Sequence, residues 1–400
     1  MVGCGLACGA MPSAVIAEGA FPSEIRLGDG AFTLEPKGLL QLDLGTTVGG
    51  DQSAGPGAGW NPRRARLGVE GTFLQDFEYT LLWDFGGTPG SRNRFYQGSV
   101  SYNGLEPFSF IAGVFEPSFS LQQDQSAQNL LFFERAAVTQ VAAGLGVGSS
   151  QLSAEVRAHG ERWFASTSLT GGQVGPGSGG AGRTAAMRLA GLPVRTEGLT
   201  LHTGFSGAWS FRPPRDDDGR RSFSLSEGAE LRLDRGDPLL RTGAIPADAA
   251  RVAGLELGLG WRRLQMQGEV YRIQLDRGSE EGGTLDFSGW YAQASYTLSG
   301  RPREYKPADA TWGSPGPGDD GFDPSRGRWG AVEVGARVST IDLNDGKVRG
   351  GRQRIWSLGL GWWPVEGTAV FTQLQHVEIA GGKAGNTRYQ AATLRVLATF

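Results

Sequence analysis

A chain of 400 residues has room for two or three soluble domains or for one large barrel. Its 65 glycines and 20 prolines speak for the barrel: a helical protein loses roughly 1 kcal/mol at each interior glycine, whereas a closed, fully paired sheet tolerates them. A formal net charge of −3 argues against a nucleic-acid partner, and the two cysteines, Cys4 and Cys8, leave the rest of the chain without a disulfide framework or thiolate metal site.

Residues 1–17 read as the remnant of an export signal, small and apolar and ending in Ala14-Val15-Ile16-Ala17. They carry no Lys or Arg and are interrupted by Pro12, as expected if the native start lies upstream. Residues 18–37 read as a periplasmic lead-in, and 38–400 as one continuous barrel without a second domain. No stretch approaches 18 consecutive apolar residues, so a transmembrane helix is excluded.

From residue 38 onward, runs of about 8–12 residues alternate with period two, the mark of strands with one apolar and one polar face. Leu255, Leu257, Leu259 and Trp261 alternate with Glu256, Gly258 and Gly260. Trp290, Ala292, Ala294, Tyr296 and Leu298 alternate with Tyr291, Gln293, Ser295 and Thr297. Val332, Val334, Ala336 and Val338 alternate with Glu333, Gly335, Arg337 and Ser339; Trp356, Leu358, Leu360 and Trp362 alternate with Ser357, Gly359 and Gly361. Aromatics sit near the ends of the apolar faces, as interfacial girdles require, and the polar faces carry charge that a soluble core could not bury unpaired. Polar loops of unequal length separate the runs, Pro302–Arg328 being the longest; short turns on one side and long loops on the other are the habit of membrane barrels. The expected fold is all-β: a transmembrane antiparallel β-barrel of about 16 strands around a water-filled lumen. In the last run Leu394, Val396, Ala398 and Phe400 face lipid, Thr393, Arg395 and Thr399 face the lumen, and Leu397 breaks the rule.

A pore that selects anions needs fixed positive charge where the ion sheds part of its hydration shell. Parity places Arg64, Arg66 and Glu70 in the lumen if Ala65, Leu67 and Val69 face lipid; Arg63 falls outward, unless its position after Pro62 at a strand start leaves it in water. Arg157, Arg272, Arg337 and Arg395 are further candidate lumen cations. His159, His202 and His376 lie in no nucleophile motif, no residues have metal-ligand spacing, and Gly175–Gly182 lacks the Lys-Ser/Thr of a phosphate loop. Asp216-Asp217-Asp218-Gly219 and Asp319-Asp320-Gly321 read as loop tips. No catalytic site, cofactor or metal is expected.

Several segments resemble the phosphate-selective porin O/P family. They include Gly38-Leu39-Leu40-Gln41-Leu42-Asp43, Arg63-Arg64-Ala65-Arg66-Leu67-Gly68-Val69-Glu70-Gly71, Phe77-Glu78-Tyr79 and Trp83-Asp84-Phe85. Phe108–Pro117, Phe132-Phe133-Glu134-Arg135, Phe287–Tyr296, Trp329–Val334 and Leu358–Trp362 follow in the family's order to the end of the chain. The resemblance implies a trimeric outer-membrane barrel of 16 strands whose third long loop folds inward. Phe115–Arg135 matches that constriction loop, with Glu116, Asp124, Gln128, Glu134 and Arg135 as its polar residues. Arg63-Arg64 matches the family's central arginines and is the candidate anion site, while Glu134-Arg135 reads first as an ion pair holding the loop to the wall. Two positions depart from the family: Leu39 replaces an arginine, and Gln128 falls where a loop lysine is expected. The implied function is a channel for passive diffusion of phosphate, polyphosphate or similar small anions, acting as a homotrimer among outer-membrane lipid and lipopolysaccharide. A general diffusion porin with little selectivity is the alternative, and a barrel enzyme or an adhesive barrel stands further off.

Overall fold

The computed structural model of the chain describes residues 24–28, 31–51, 53–87, 94–148, 150–171, 182–215, 218–233, 238–278, 282–318, 321–382 and 385–400. The signal remnant with Cys4 and Cys8, residues 175–181, and the aspartates 216, 217, 319 and 320 lie outside the described residues.

Among the described residues, sixteen antiparallel strands close on themselves. The first half comprises β1 (Phe32–Gly50), β2 (Gly59–Phe73), β3 (Phe77–Asp84), β4 (Arg94–Leu105), β5 (Phe108–Phe115), β6 (Gln151–His159), β7 (Trp163–Thr170) and β8 (Arg183–Arg195). The second comprises β9 (Leu199–Arg212), β10 (Ala249–Trp261), β11 (Leu264–Asp276), β12 (Thr284–Ser299), β13 (Ala331–Asp345), β14 (Val348–Trp363), β15 (Thr368–Ala380) and β16 (Thr387–Thr399). Each strand pairs with its neighbour in sequence, and β1 pairs with β16 to close the ring. Closure leaves no sheet edge, which is what lets strands cross lipid. β1 begins six residues before the boundary expected at residue 38, and Ile25–Leu27 of the lead-in pairs back onto Phe32–Leu34.

The seam is finished by the last residue. Phe400 and Gly38 exchange backbone hydrogen bonds of 3.0 and 3.2 Å. The Phe400 ring occupies the space beside Gly38, 2.1 Å from where a Cβ would stand.

Alternation is realised strand by strand. Leu255, Leu257 and Trp261 are exposed on the outer face of β10 while Glu256 is buried inside, and Leu358 and Leu360 of β14 lie outside opposite buried Ser357. Leu397 keeps the parity of the strand and faces inward. Its side chain joins an apolar cluster with Phe371, Trp363 and Ala369, because the lumen on that side is packed with protein.

Three segments fill it. The loop between β5 and β6 runs through residues 116–150, well beyond the expected end at Arg135, and carries the helices α1 (Leu121–Asp124) and α2 (Ala137–Gly146). α2 lies against the inner wall of β8–β13. The loop between β9 and β10 contains a hairpin, Ser222–Glu227 with Leu240–Pro246, whose second strand packs on β13 and β14. Residues 300–330, joining β12 to β13, form the third. Counting strands puts this long connection at the short-turn end of the barrel, where the other connections span two to four residues. It departs from the expected segregation of long loops and short turns, as does the two-residue turn 346–347 between β13 and β14 at the loop end. Its residues 300–318 fold back into the lumen, with Ala310 and Trp312 fully buried.

Much of the glycine content follows from this filling. Inward-facing Gly258 would place a Cβ 2.3 Å from the Trp312 indole, and Gly335 one 2.5 Å from Leu131. Glycine lets these segments lie directly on the wall. Gly258→Val is expected to overpack this contact at a cost of about 1–3 kcal/mol. The check is the temperature at which the folded, heat-resistant band is lost in gel electrophoresis, which should fall.

Candidate channel and its eyelet

The water path runs where the filling stops, between the constriction loop and the inner wall of β2–β6. There a cavity of about 640 Å³ is lined by Arg63, Arg64, Arg66, Arg135, Arg157 and Arg232, and by the acids Glu116, Asp124 and Asp309. Tyr96, Ser99 and Ser101 of β4 complete the wall.

Two β-bulges aim side chains into it. In the β1–β2 ladder Gln41 faces Arg64 and Leu42 faces Pro62, so Arg63 is the extra residue. The bulge, beside a proline that offers no ladder N–H, turns both Arg63 and Arg64 inward. Strict parity would have sent Arg63 outward, and it is the inserted residue rather than the strand start that brings it to the lumen. In the β3–β4 ladder Leu82 faces Gln97 and Trp83 faces Phe95, which makes Tyr96 the extra residue and adds its ring to the lining. The Arg66 guanidinium lies 3.5 Å above that ring and bonds Asp84 at 3.0 Å.

Glu134 is the centre of the loop's attachment. It accepts bonds of 2.5 and 2.9 Å from Arg63, approaches Arg64 at 3.4 Å and Arg395 at 3.6 Å, and its backbone carbonyl takes Arg337 Nη1 at 2.8 Å. Burial works to raise the pKa of its carboxyl, but the surrounding arginines hold it well below the usual carboxylate range. A depressed pKa contributes stability that is present above the unfolded value of about 4.3 and lost only as pH falls through the folded one. The loop's anchorage through Glu134 is therefore expected to persist from pH 7 down to about 4.5. Burial pushes the lining Asp124 up to about 6. Anion preference should strengthen as pH falls below that value and Asp124 loses its negative charge, as checked by reversal potentials at each pH.

Arg135 differs from its neighbours. Its guanidinium donates to the backbone carbonyls of Gln122, Gln123 and Gln125 at 2.8, 2.8 and 2.9 Å. No carboxylate lies within ion-pair distance of it among the described residues. It lines the cavity with its charge unneutralised, whereas Glu134 is the loop residue that grips the wall. Arg157 is shared between Glu155 at 3.4 Å, Ser118 at 2.9 Å and Asp309 at 3.7 Å, and Arg232 pairs with Glu227 at 2.5 Å.

Of the other candidate cations, Arg337 and Arg395 are buried between wall and loop. Arg337 pairs with Glu230 and lies 4.6 Å over the Phe132 ring; Arg395 bonds Asp43 at 2.6 and 2.7 Å and the Phe133 carbonyl at 2.7 Å. Arg272 is not in the lumen: β11 turns Tyr271 and Ile273 inward, and Arg272 stands on the outer face paired with Asp286. Leu39 packs against the apolar filling, and Gln128 is exposed and outside the cavity lining. Asp124 lines the cavity but is bonded at 2.7 Å to Arg188, which also holds Glu256 at 2.9 Å and the carbonyls of Asp309 and Ala310.

Sequence reasoning did not find Tyr96, Arg188, Arg232 or the inward turn of residues 300–318. Leu231, Leu233, Leu240 and Ile245 between the strands ending at Arg212 and starting at Ala249, and Trp312 inside a Pro- and Gly-rich connection, were the available signals.

Comparison with known proteins agrees with this architecture. Porin O of Pseudomonas aeruginosa is 25% identical over 341 residues, covering 81% of this chain and 76% of its own length. In-vitro folded OmpT of Vibrio cholerae, in its trimer form, superposes with a TM-score of 0.57 at 10% identity over 92% of this chain and all of its own. An anion-selective porin from Comamonas acidovorans does so with a TM-score of 0.56 at 12% identity over 92% of this chain and all of its own. Residues 36–399 match the profile of the phosphate-selective porins O and P. With a closed barrel, an inward loop and that match over nine-tenths of its length, the chain belongs to the phosphate-selective porin O and P family of the bacterial outer membrane.

Proposed function

We propose that the eyelet passes small anions in preference to cations by passive diffusion, discriminating by charge rather than by a dedicated phosphate site. The carrying observation is Arg135, which lines the eyelet without a carboxylate partner among the described residues, whereas the other five lining arginines are each held by one. Inside a narrow, low-dielectric path such a charge acts far more strongly than in bulk water. Arg63, Arg66 and Arg232 are engaged by carboxylates, and the family's extra cations are replaced by Leu39 and Gln128, which supports modest selectivity among anions. Reversal potentials across a planar bilayer with a KCl gradient test the reading, and cation preference would overturn it. Adding phosphate at millimolar concentration should reduce the chloride current only weakly.

The channel is read as a homotrimer. Strands β3, β5, β6 and β7 are only eight or nine residues long. At about 3.4 Å per residue and a tilt near 40° such strands rise roughly 20 Å, short of the ~25 Å apolar band. A wall that short is better covered by a neighbouring protomer than by lipid. Chemical cross-linking in detergent should stop at three copies.

A further inference from the structure

The outer face of the barrel is uneven at its loop end. On β1–β7 the outward positions there include the apolar Val48, Trp60, Trp83, Leu152 and Leu169, and β8 opens with the exposed Arg183 two residues before Ala185. On β10 and β11 they change to Arg251 and Arg272, with side chains 57% and 66% exposed. Between these and the apolar wall lies a groove of about 460 Å³. Ala185, Gly207 and Ala253 are its small residues, beside the exposed Met187, Phe205 and Trp209. The register sets Arg251 level with Trp209 and Arg272 one step lower, beside Ala253.

Arginine on the lipid face of a barrel is unfavourable at depth and becomes tolerable near the interface, more so where an anion meets it. Arg272 gives Nε and Nη2 to one oxygen of Asp286, at 2.7 and 2.5 Å. The carboxylate of Asp276 stands 3.9 Å from Arg251, beyond hydrogen-bond range. Both guanidiniums therefore keep donors to spare above an apolar trough. We infer that this groove binds the phosphorylated glycolipid of the outer leaflet, one acyl chain lying along Gly207 and Ala253 and a phosphate held by Arg251 and Arg272. Charge complementarity selects a phosphate, the apolar trough selects a lipid, and the position at the loop end selects the outer leaflet.

The test is native mass spectrometry of the delipidated full-length channel in detergent, incubated with bis-phosphorylated lipid A or with phosphatidylglycerol. The wild type should retain lipid A over phosphatidylglycerol, and R251A/R272A should lower retention about tenfold. Gly207→Trp keeps both arginines but fills the trough, a Cβ there meeting only the Phe205 and Met187 side chains at 3.3 and 3.4 Å, and should lower retention as well. Single-channel conductance should be unchanged in both variants, since neither site lines the pore. Wild-type retention of lipid A by either variant, or equal retention of phosphatidylglycerol by the wild type, would overturn the assignment.

Discussion

Replacing Arg63 and Arg64 together with alanine is expected to abolish the anion preference and shift the reversal potential toward cations. The substitution does more than delete two charges. Glu134 would remain buried with only Arg395, at 3.6 Å, to offset it. Breaking a buried ion pair from one side costs about 3–5 kcal/mol because the orphaned charge stays behind. The constriction loop should loosen as well, giving a larger and noisier conductance. Adding Glu134→Gln to the pair separates the two effects. The triple variant should regain a quiet current while remaining poorly selective. If the double variant kept the wild-type reversal potential, the two arginines would have no part in selection.

The second large effect is expected from Arg188→Met. Fully buried Arg188 binds Asp124 of the constriction loop, Glu256 of the wall and the carbonyls of Asp309 and Ala310 in the connection from the turn end. Methionine fills much of the volume but leaves Asp124 and Glu256 buried without a guanidinium. Asp124 keeps the Phe119 N–H at 2.8 Å, and Glu256 keeps Ser206 at 2.9 Å and His202 at 3.1 Å. A loss of about 3–5 kcal/mol is anticipated, as for other buried pairs broken from one side. Limited proteolysis should then cut within residues 300–318, which the wild type protects. Thermal unfolding followed by circular dichroism gives the matching loss of stability.

These two arginine centres show what the chain discloses before it folds. Period-two alternation reports which residues face lipid, because water and hydrocarbon meet every second side chain all round the wall; Leu255 and Leu358 are unambiguous for that reason. It cannot report a bulge, which is why Arg63 and Tyr96 depart from parity. Nor does it say what occupies the inside of a barrel. Arg188 reads as one more lumen residue until Asp124, Glu256 and the connection are brought around it from positions 64 to 122 residues away. Arg272 misleads for a different reason. Near the loop end the outer face passes out of hydrocarbon, and charge there no longer signals a lumen position.

The filled half of the lumen has an electrical consequence. A voltage applied across the membrane falls mainly where the aqueous conductor is thinnest, and here that is the strip of water along β2–β6 beside Glu134 and Arg135. Moving one elementary charge through 100 mV is worth about 2.3 kcal/mol, less than the roughly 3–5 kcal/mol it would cost to draw Arg63 away and leave Glu134 buried without it. The field should therefore drive ions past the loop without dislodging it, and current should rise ohmically over that range, without closure steps.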